Sequence, residues 1–108
     1  MIKDRTKALA IPIEVKRAVA ERDSVDGWPC CILCGRPAPT ANPLAFSNAH
    51  YISRAQGGLG IEKNTMTLCP RCHREFDGAK RKEYRPILAR HLKESYEDWN
   101  ESELVYRK

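Results

Sequence analysis

Apolar residues along the chain fall into short runs of two different periods, separated by clusters of glycine and proline. Val15, Ala18 and Val19 recur at i, i+3 and i+4 behind Pro12, which predicts a helix over Glu14 to Arg22, about 14–23 in all. Asp23-Ser24-Val25-Asp26-Gly27 breaks it. Pro37, Pro39 and Pro43 make residues 35–45 a loop, because proline lacks the N–H that a helix interior or a central strand needs. Two short strands are expected next, Ala45 to Ile52 and Thr65 to Leu68, on either side of a loop marked by Gly57, Gly58 and Gly60. Pro70 suits a first helical turn and opens a helix to about Phe76. In the last quarter Leu88, Leu92, Tyr96 and Trp99 step by 4, 4 and 3 along one face, which predicts a packing helix of about 84–99 with Pro86 near its start. The expected class is α+β, a strand–loop–strand–helix centre with a helix on each side.

A chain of 108 residues is expected to form one domain, 1–108, with its core over about 28–78. No run of about 18 apolar residues is present, and Met1-Ile2-Lys3-Asp4-Arg5 lacks the apolar stretch and cleavage site of a signal peptide. The expectation is a cytoplasmic protein with no membrane span. At this size burial is only about two-thirds of the unfolded surface, so a metal staple would add substantially to stability. Five cysteines without an export signal point to thiolates in a reducing compartment rather than to disulfides.

The placement of charge says more than its sum of +5. Residues 1–29 carry six basic and five acidic groups, and residues 84–108 carry five of each. Residues 30–83 hold eight basic against four acidic, a net +4. A positive field concentrated there suits a polyanion such as nucleic acid, and a merely solvated basic face would have the same composition.

Cys31-Ile32-Leu33-Cys34 and Cys69-Pro70-Arg71-Cys72 are two knuckles whose two-residue gaps let both sulfurs of each face one ion. Together they supply the four thiolates of a tetrahedral structural Zn2+ site. Gly35 follows the first knuckle, where the turn favours a residue tolerant of positive φ. Cys30 has the wrong gap to Cys34 and is the spare thiol. His91, with no cysteine or carboxylate cluster near it in sequence, is expected to be structural.

Between the knuckles lie His50, Arg54 and Asn64, and His73 follows Cys72 directly. The run Asn48-Ala49-His50-Tyr51-Ile52, then Gly57-Gly58, then Asn64-Thr65-Met66-Thr67-Leu68-Cys69-Pro70-Arg71-Cys72-His73 resembles the HNH endonuclease signature in its zinc-stapled, four-cysteine form. The resemblance covers residues 28–78 and implies a ββα-metal core. In such a core one strand ends in the first histidine, and a helix carries the last. It also implies a metal-dependent DNA endonuclease of the small phage or prophage type. DNA would be the partner, with phage packaging or recombination proteins as associates.

Phosphodiester hydrolysis needs an activated water, charge stabilisation on the phosphorus and a partner for the leaving oxygen. By the resemblance, His50 is the general base and His73 ligates a catalytic Mg2+, Mn2+ or other divalent ion. Asn64 either joins the metal or holds the base in place. Arg54 would contact phosphate, with Arg71 and Arg74 as further DNA contacts. Many relatives carry Asp or His directly before the base, where this chain has Ala49. Asn48, on the same strand face as His50, could replace that ligand. Alternatively His50 itself touches the metal, or His73, Asn64, water and phosphate suffice. The competing reading is a catalytically weak or silent zinc-containing DNA-binding module, with a protein-interaction module behind it.

Overall fold

The computed structural model describes residues 4–107. Two helices come first, α1 (Asp4–Leu9) and α2 (Ile13–Arg22), joined through Ala10, Ile11 and Pro12. Pro12 is extended and sits just ahead of α2 rather than inside its first turn, and Val19 and Ala20 are the buried face of that helix. The sequence pattern indicated α2 but not α1, whose six residues contain too little apolar periodicity to register. After α2 the expected break is a tight hairpin, β1 (Ser24–Val25) antiparallel to β2 (Trp28–Pro29). Asp26 at φ 52° and Gly27 at φ 81° form its two-residue turn, and this left-handed pair matches the right-handed twist of the flanking strands.

At the centre, β3 (Asn48–His50) pairs antiparallel with β4 (Thr65–Thr67), setting Asn48 opposite Thr67, Ala49 opposite Met66 and His50 opposite Thr65. β3 is shorter than the expected Ala45–Ile52. At one end the Ala45 N–H turns back to the Asn42 carbonyl. At the other, the Ile52 N–H is taken by the Asn64 side chain instead of a strand partner. All three residues of β4 are buried, as they must be in a strand covered on both faces. α3 (Pro70–Asp77) starts where expected and ends one residue later.

α4 (Arg81–Ser95) starts and stops earlier than expected. Pro86 lies inside it rather than opening it, so only the bond to the carbonyl four residues back, that of Lys82, is forgone near the helix start. Leu88 and Leu92 form the buried stripe, whereas Tyr96 is extended and ends the helix. Tyr96 and Trp99 belong to the tail because their polar tips are tied elsewhere: the Tyr96 hydroxyl donates to Glu62 at 3.0 Å, and the Trp99 indole N–H donates to the Lys63 carbonyl at 2.7 Å. Met66 and Leu68 meet Phe76, Leu88, Leu92 and Leu104 in a core without exposed surface. No helix among the described residues is long and apolar enough to cross a membrane.

One buried carboxylate ties these pieces together. Asp23, at the end of α2, accepts from Arg22 Nε and Nη2 at 2.7 and 3.0 Å, from the Thr67 N–H of β4 at 2.9 Å and from His91 Nε2 of α4 at 2.8 Å. The Arg22 guanidinium also donates to the Thr65 and Glu62 carbonyls at 2.8 and 2.9 Å. His91 is therefore structural, as expected. Burial pushes the Asp23 carboxyl upward, but the bonds from His91 and Arg22, the Arg22 charge and the Thr67 N–H outweigh it, and Asp23 is held below the usual carboxylate range.

Asp23→Ala should cost about 3–5 kcal/mol in denaturant unfolding, because Arg22 is left buried without its partner. The pH signature has a definite sign. A depressed native pKa stabilises the fold above the unfolded value of about 3.9, and that stabilisation is lost as pH falls through the native value. Stability that does not decline on acidification in the parent, or declines identically in Asp23→Ala, would refute this assignment.

Candidate active site

Two loops and a helix start bring four sulfurs together. The first knuckle is fixed by Gly35 N–H on the Cys31 carbonyl at 2.8 Å and by Ile32 N–H on the β4 carbonyl of Thr67 at 3.1 Å. Gly35 has φ 76°, the left-handed conformation its position called for. In the second knuckle Cys69 precedes α3, and its sulfur accepts from the Cys72 N–H at 3.5 Å. The Sγ atoms of Cys31, Cys34, Cys69 and Cys72 all lie within 4.8 Å of one another, with Cys34 and Cys69 at 3.7 Å. Tetrahedral Zn–S bonds of about 2.3 Å require sulfurs about 3.8 Å apart, so spacing and donor type both fit zinc.

The thiols differ as their surroundings dictate. Burial raises Cys31 and, with bonds from Cys69 and Cys31, pushes Cys72 up to about 12. At exposed Cys34 the upward effect of burial is outweighed by the Arg36 N–H and the neighbouring thiols, which lower it to about 7. Four thiolates this close coexist only around a cation. Cys30 stands outside the cluster, its thiol donating to the Trp28 carbonyl at 3.3 Å.

On the other side of β3 and α3 a cleft of about 830 Å³ is lined by His50, His73, Asn48, Ser53, Arg54 and Asp77, with Lys16 of α2 on its rim. Asn48 and His50 are two apart on β3 and share the cleft face, while Ala49 points the other way and has no exposed surface. His50 Nε2 lies 2.9 Å from the Leu9 carbonyl oxygen. A carbonyl only accepts, so Nε2 carries the proton and Nδ1 of the neutral ring is the acceptor. Burial lowers the His50 pKa and the Arg54 charge adds to the lowering, outweighing the Leu9 hydrogen bond and the Asp77 charge that oppose it, which favours the neutral ring.

His73 is held by Ser47 Oγ at 2.9 Å from Nδ1, and its Nε2 lies 3.2 Å from Asp77 Oδ2 one turn along α3. Asp77 was not singled out from the sequence. Its signal was available, because His73-x-x-x-Asp77 puts both groups on one helix face.

Asn64 departs from the expected metal role. It is fully buried, and its side chain accepts from the Ile52 N–H at 2.8 Å and donates to the Leu59 and Ile52 carbonyls at 2.8 and 3.2 Å. These bonds close the loop between the strands and leave its amide away from the cleft lining. Gly58 is required in that loop, since a Cβ there would lie 1.7 Å from the Ile52 oxygen. Of the three arginines expected on DNA, only Arg54 lines the cleft. Arg71 and Arg74 are exposed on α3 outside the cleft lining.

If the four thiols hold zinc, Cys72→Ser should leave the protein insoluble or unfolded and free of stoichiometric zinc, because metal binding is then coupled to folding. Cys30→Ser should retain full zinc content and near-parental unfolding. Elemental analysis of well-folded parent without zinc would contradict the assignment.

No curated protein matches the chain. The HNH endonuclease family model matches residues 31–76, a span that contains both cysteine knuckles, the β3–β4 pair and the histidine of α3. HNH domains are a nuclease-type, DNA-cleaving family that generally uses divalent metal ions. Residues 31–76 are thus similar to the HNH endonuclease family, and the four cysteines among them are placed as its zinc-stapled form requires.

Proposed function

We propose that this protein is a metal-dependent DNA endonuclease in which His50 is the general base. The observation that carries the reading is the pairing of a neutral histidine, its Nδ1 lone pair unclaimed by any described residue, with a His73–Asp77 couple in one cleft. An imidazole nitrogen and a carboxylate oxygen on one helix face, with the Asn48 amide nearby on β3, form a donor set suited to magnesium or manganese. When bound there, a divalent ion supplies Lewis-acid polarisation of the phosphate and a counter-charge for the leaving oxygen.

The chain's own groups do the rest. Nδ1 of His50 takes the proton of the attacking water, which requires the ring to be neutral beforehand. Arg54 and Lys16 meet phosphate from two sides of the cleft, as backbone contacts without base specificity. Ser47 orients the His73 ring through Nδ1 and leaves Nε2 on the Asp77 side, where these two residues would hold the ion.

A second reading has one observation in its favour. Ala49, where many relatives place a ligand, is an apolar core residue with no exposed surface, so the metal set is one donor poorer. A catalytically weak or silent zinc-containing DNA-binding module would show the same fold and cluster.

Plasmid nicking separates the two. With magnesium or manganese the parent should cut and His50→Ala should not, while zinc content and DNA affinity stay near parental values. Asp77→Ala should raise the divalent-ion concentration for half-maximal rate by about 10- to 100-fold. His50→Ala protein cutting as fast as the parent would eliminate the mechanism, and a parent that binds DNA without cutting would establish the silent module.

The lowered His50 pKa makes a separate statement about pH. The acid limb of kcat/KM should lie below the ordinary histidine value of about 6.5. Because the Arg54 charge contributes to the lowering, Arg54→Gln should move that limb upward while also weakening DNA binding and reducing its salt dependence. An unmoved limb would remove Arg54 from the neighbourhood of the base.

A further inference from the structure

The carbonyl that holds His50 does not come from the HNH segment. It belongs to Leu9, at the end of α1, twenty-two residues before the family match begins at residue 31. α1 has six residues, too few to persist as an isolated helix, so its position must be set by what it touches. Gly60, in the loop between β3 and β4, supplies that contact. Its N–H donates to the Ala8 carbonyl at 3.0 Å, and a Cβ on Gly60 would fall 1.9 Å from the Ala10 oxygen and 2.5 Å from its carbonyl carbon. Gly60 is thus a notch into which the α1–α2 crossing is laid. Arg5 adds a bond from its guanidinium to the Arg54 carbonyl at 3.4 Å. Leu9 is 3% exposed, and Ala10 and Ile11 line the cleft beside His50.

We propose that the Leu9 carbonyl, presented by the α1–α2 crossing seated on Gly60, is a positioning group of the active site that fixes His50 in its Nε2–H tautomer. Residues 4–11 are then a working part of the nuclease centre. The proposal rests on the reading of His50 as the base. Without the Leu9 acceptor the neutral ring is free to turn or to carry its proton on Nδ1, and a ring in that form cannot accept a proton from water at the position facing the cleft. No other described residue hydrogen-bonds the His50 ring.

Two full-length variants test this. Gly60→Ala forces the crossing off its seat. A semisynthetic protein with a thioamide in place of the Leu9 carbonyl keeps every side chain and weakens only the acceptor. The His50 tautomer is followed by long-range ¹H–¹⁵N NMR without DNA, and kcat and KM are measured for plasmid cleavage. The parent should show the Nε2–H form alone. Both variants should show the Nδ1–H form, with kcat lowered about 10-fold or more and KM within about 2-fold, at unchanged zinc content.

Retention of the Nε2–H form in the thioamide protein, or a shifted tautomer with unchanged kcat, overturns the proposal. If Gly60→Ala does not fold, the thioamide protein decides alone. If the parent cuts no DNA, the NMR result still decides whether Leu9 sets the ring, and only the nuclease reading falls.

Discussion

The carboxylate of Asp23 is the constraint on which the rest of the arrangement leans. It is buried, it is charged, and its bonds run to α2, β4 and α4 at once. Burial of such a group is unfavourable unless its oxygens are satisfied, and here Arg22, Thr67 and His91 satisfy them. The Thr67 main chain bridges two systems, since its N–H goes to Asp23 and its carbonyl receives Ile32 of the first cysteine knuckle. The helix outside the family segment and the thiol cluster within it are therefore anchored to the same residue of the same strand. Displacement of that strand would move His50, paired opposite Thr65, along with the sulfurs.

The parts legible in the sequence are those whose physics is local. Two CxxC knuckles announce a tetrahedral site because two-residue gaps fix the sulfur geometry. Pro70 after Cys69 announces a helix start, and Val15, Ala18 and Val19 announce a face. The parts that were not legible depend on contacts far along the chain. Tyr96 and Trp99 continue the helical spacing of Leu88 and Leu92, yet tertiary bonds to Glu62 and Lys63 draw them out of the helix. Asn64 has the residue type of a metal ligand, and only the position of the Ile52 and Leu59 backbone shows that its amide closes a loop. Asp77 was legible by the same local rule, since it stands four residues after His73 and shares its helix face.

Charge was legible in amount but not in use. Several of the basic residues of 30–83 are occupied within the fold. Arg81 donates to the Tyr51 carbonyl at 2.9 Å and covers the Phe76 ring, and Lys63 pairs with Asp98 at 2.8 Å. What faces the cleft is Arg54 together with Lys16, the latter from a helix whose own segment is almost neutral. A basic composition thus overstates the charge a substrate would meet and misplaces its source.

The loop between β3 and β4 is gripped from both ends of the described chain. Gly60 N–H bonds Ala8, while Leu59 N–H bonds the Leu104 carbonyl and the Tyr106 N–H bonds Gly57. Contacts of such wide sequence separation close late in folding, after the local knuckles and helices are in place. During synthesis the tail that seals this loop is among the last of the described residues to leave the ribosome. A nascent chain can therefore assemble its thiol cluster and α3 well before the Arg54 loop is locked. Closure of the cleft-side loop is thereby coupled to the emergence of Leu104 and Tyr106, more than thirty residues after the second cysteine knuckle has been made.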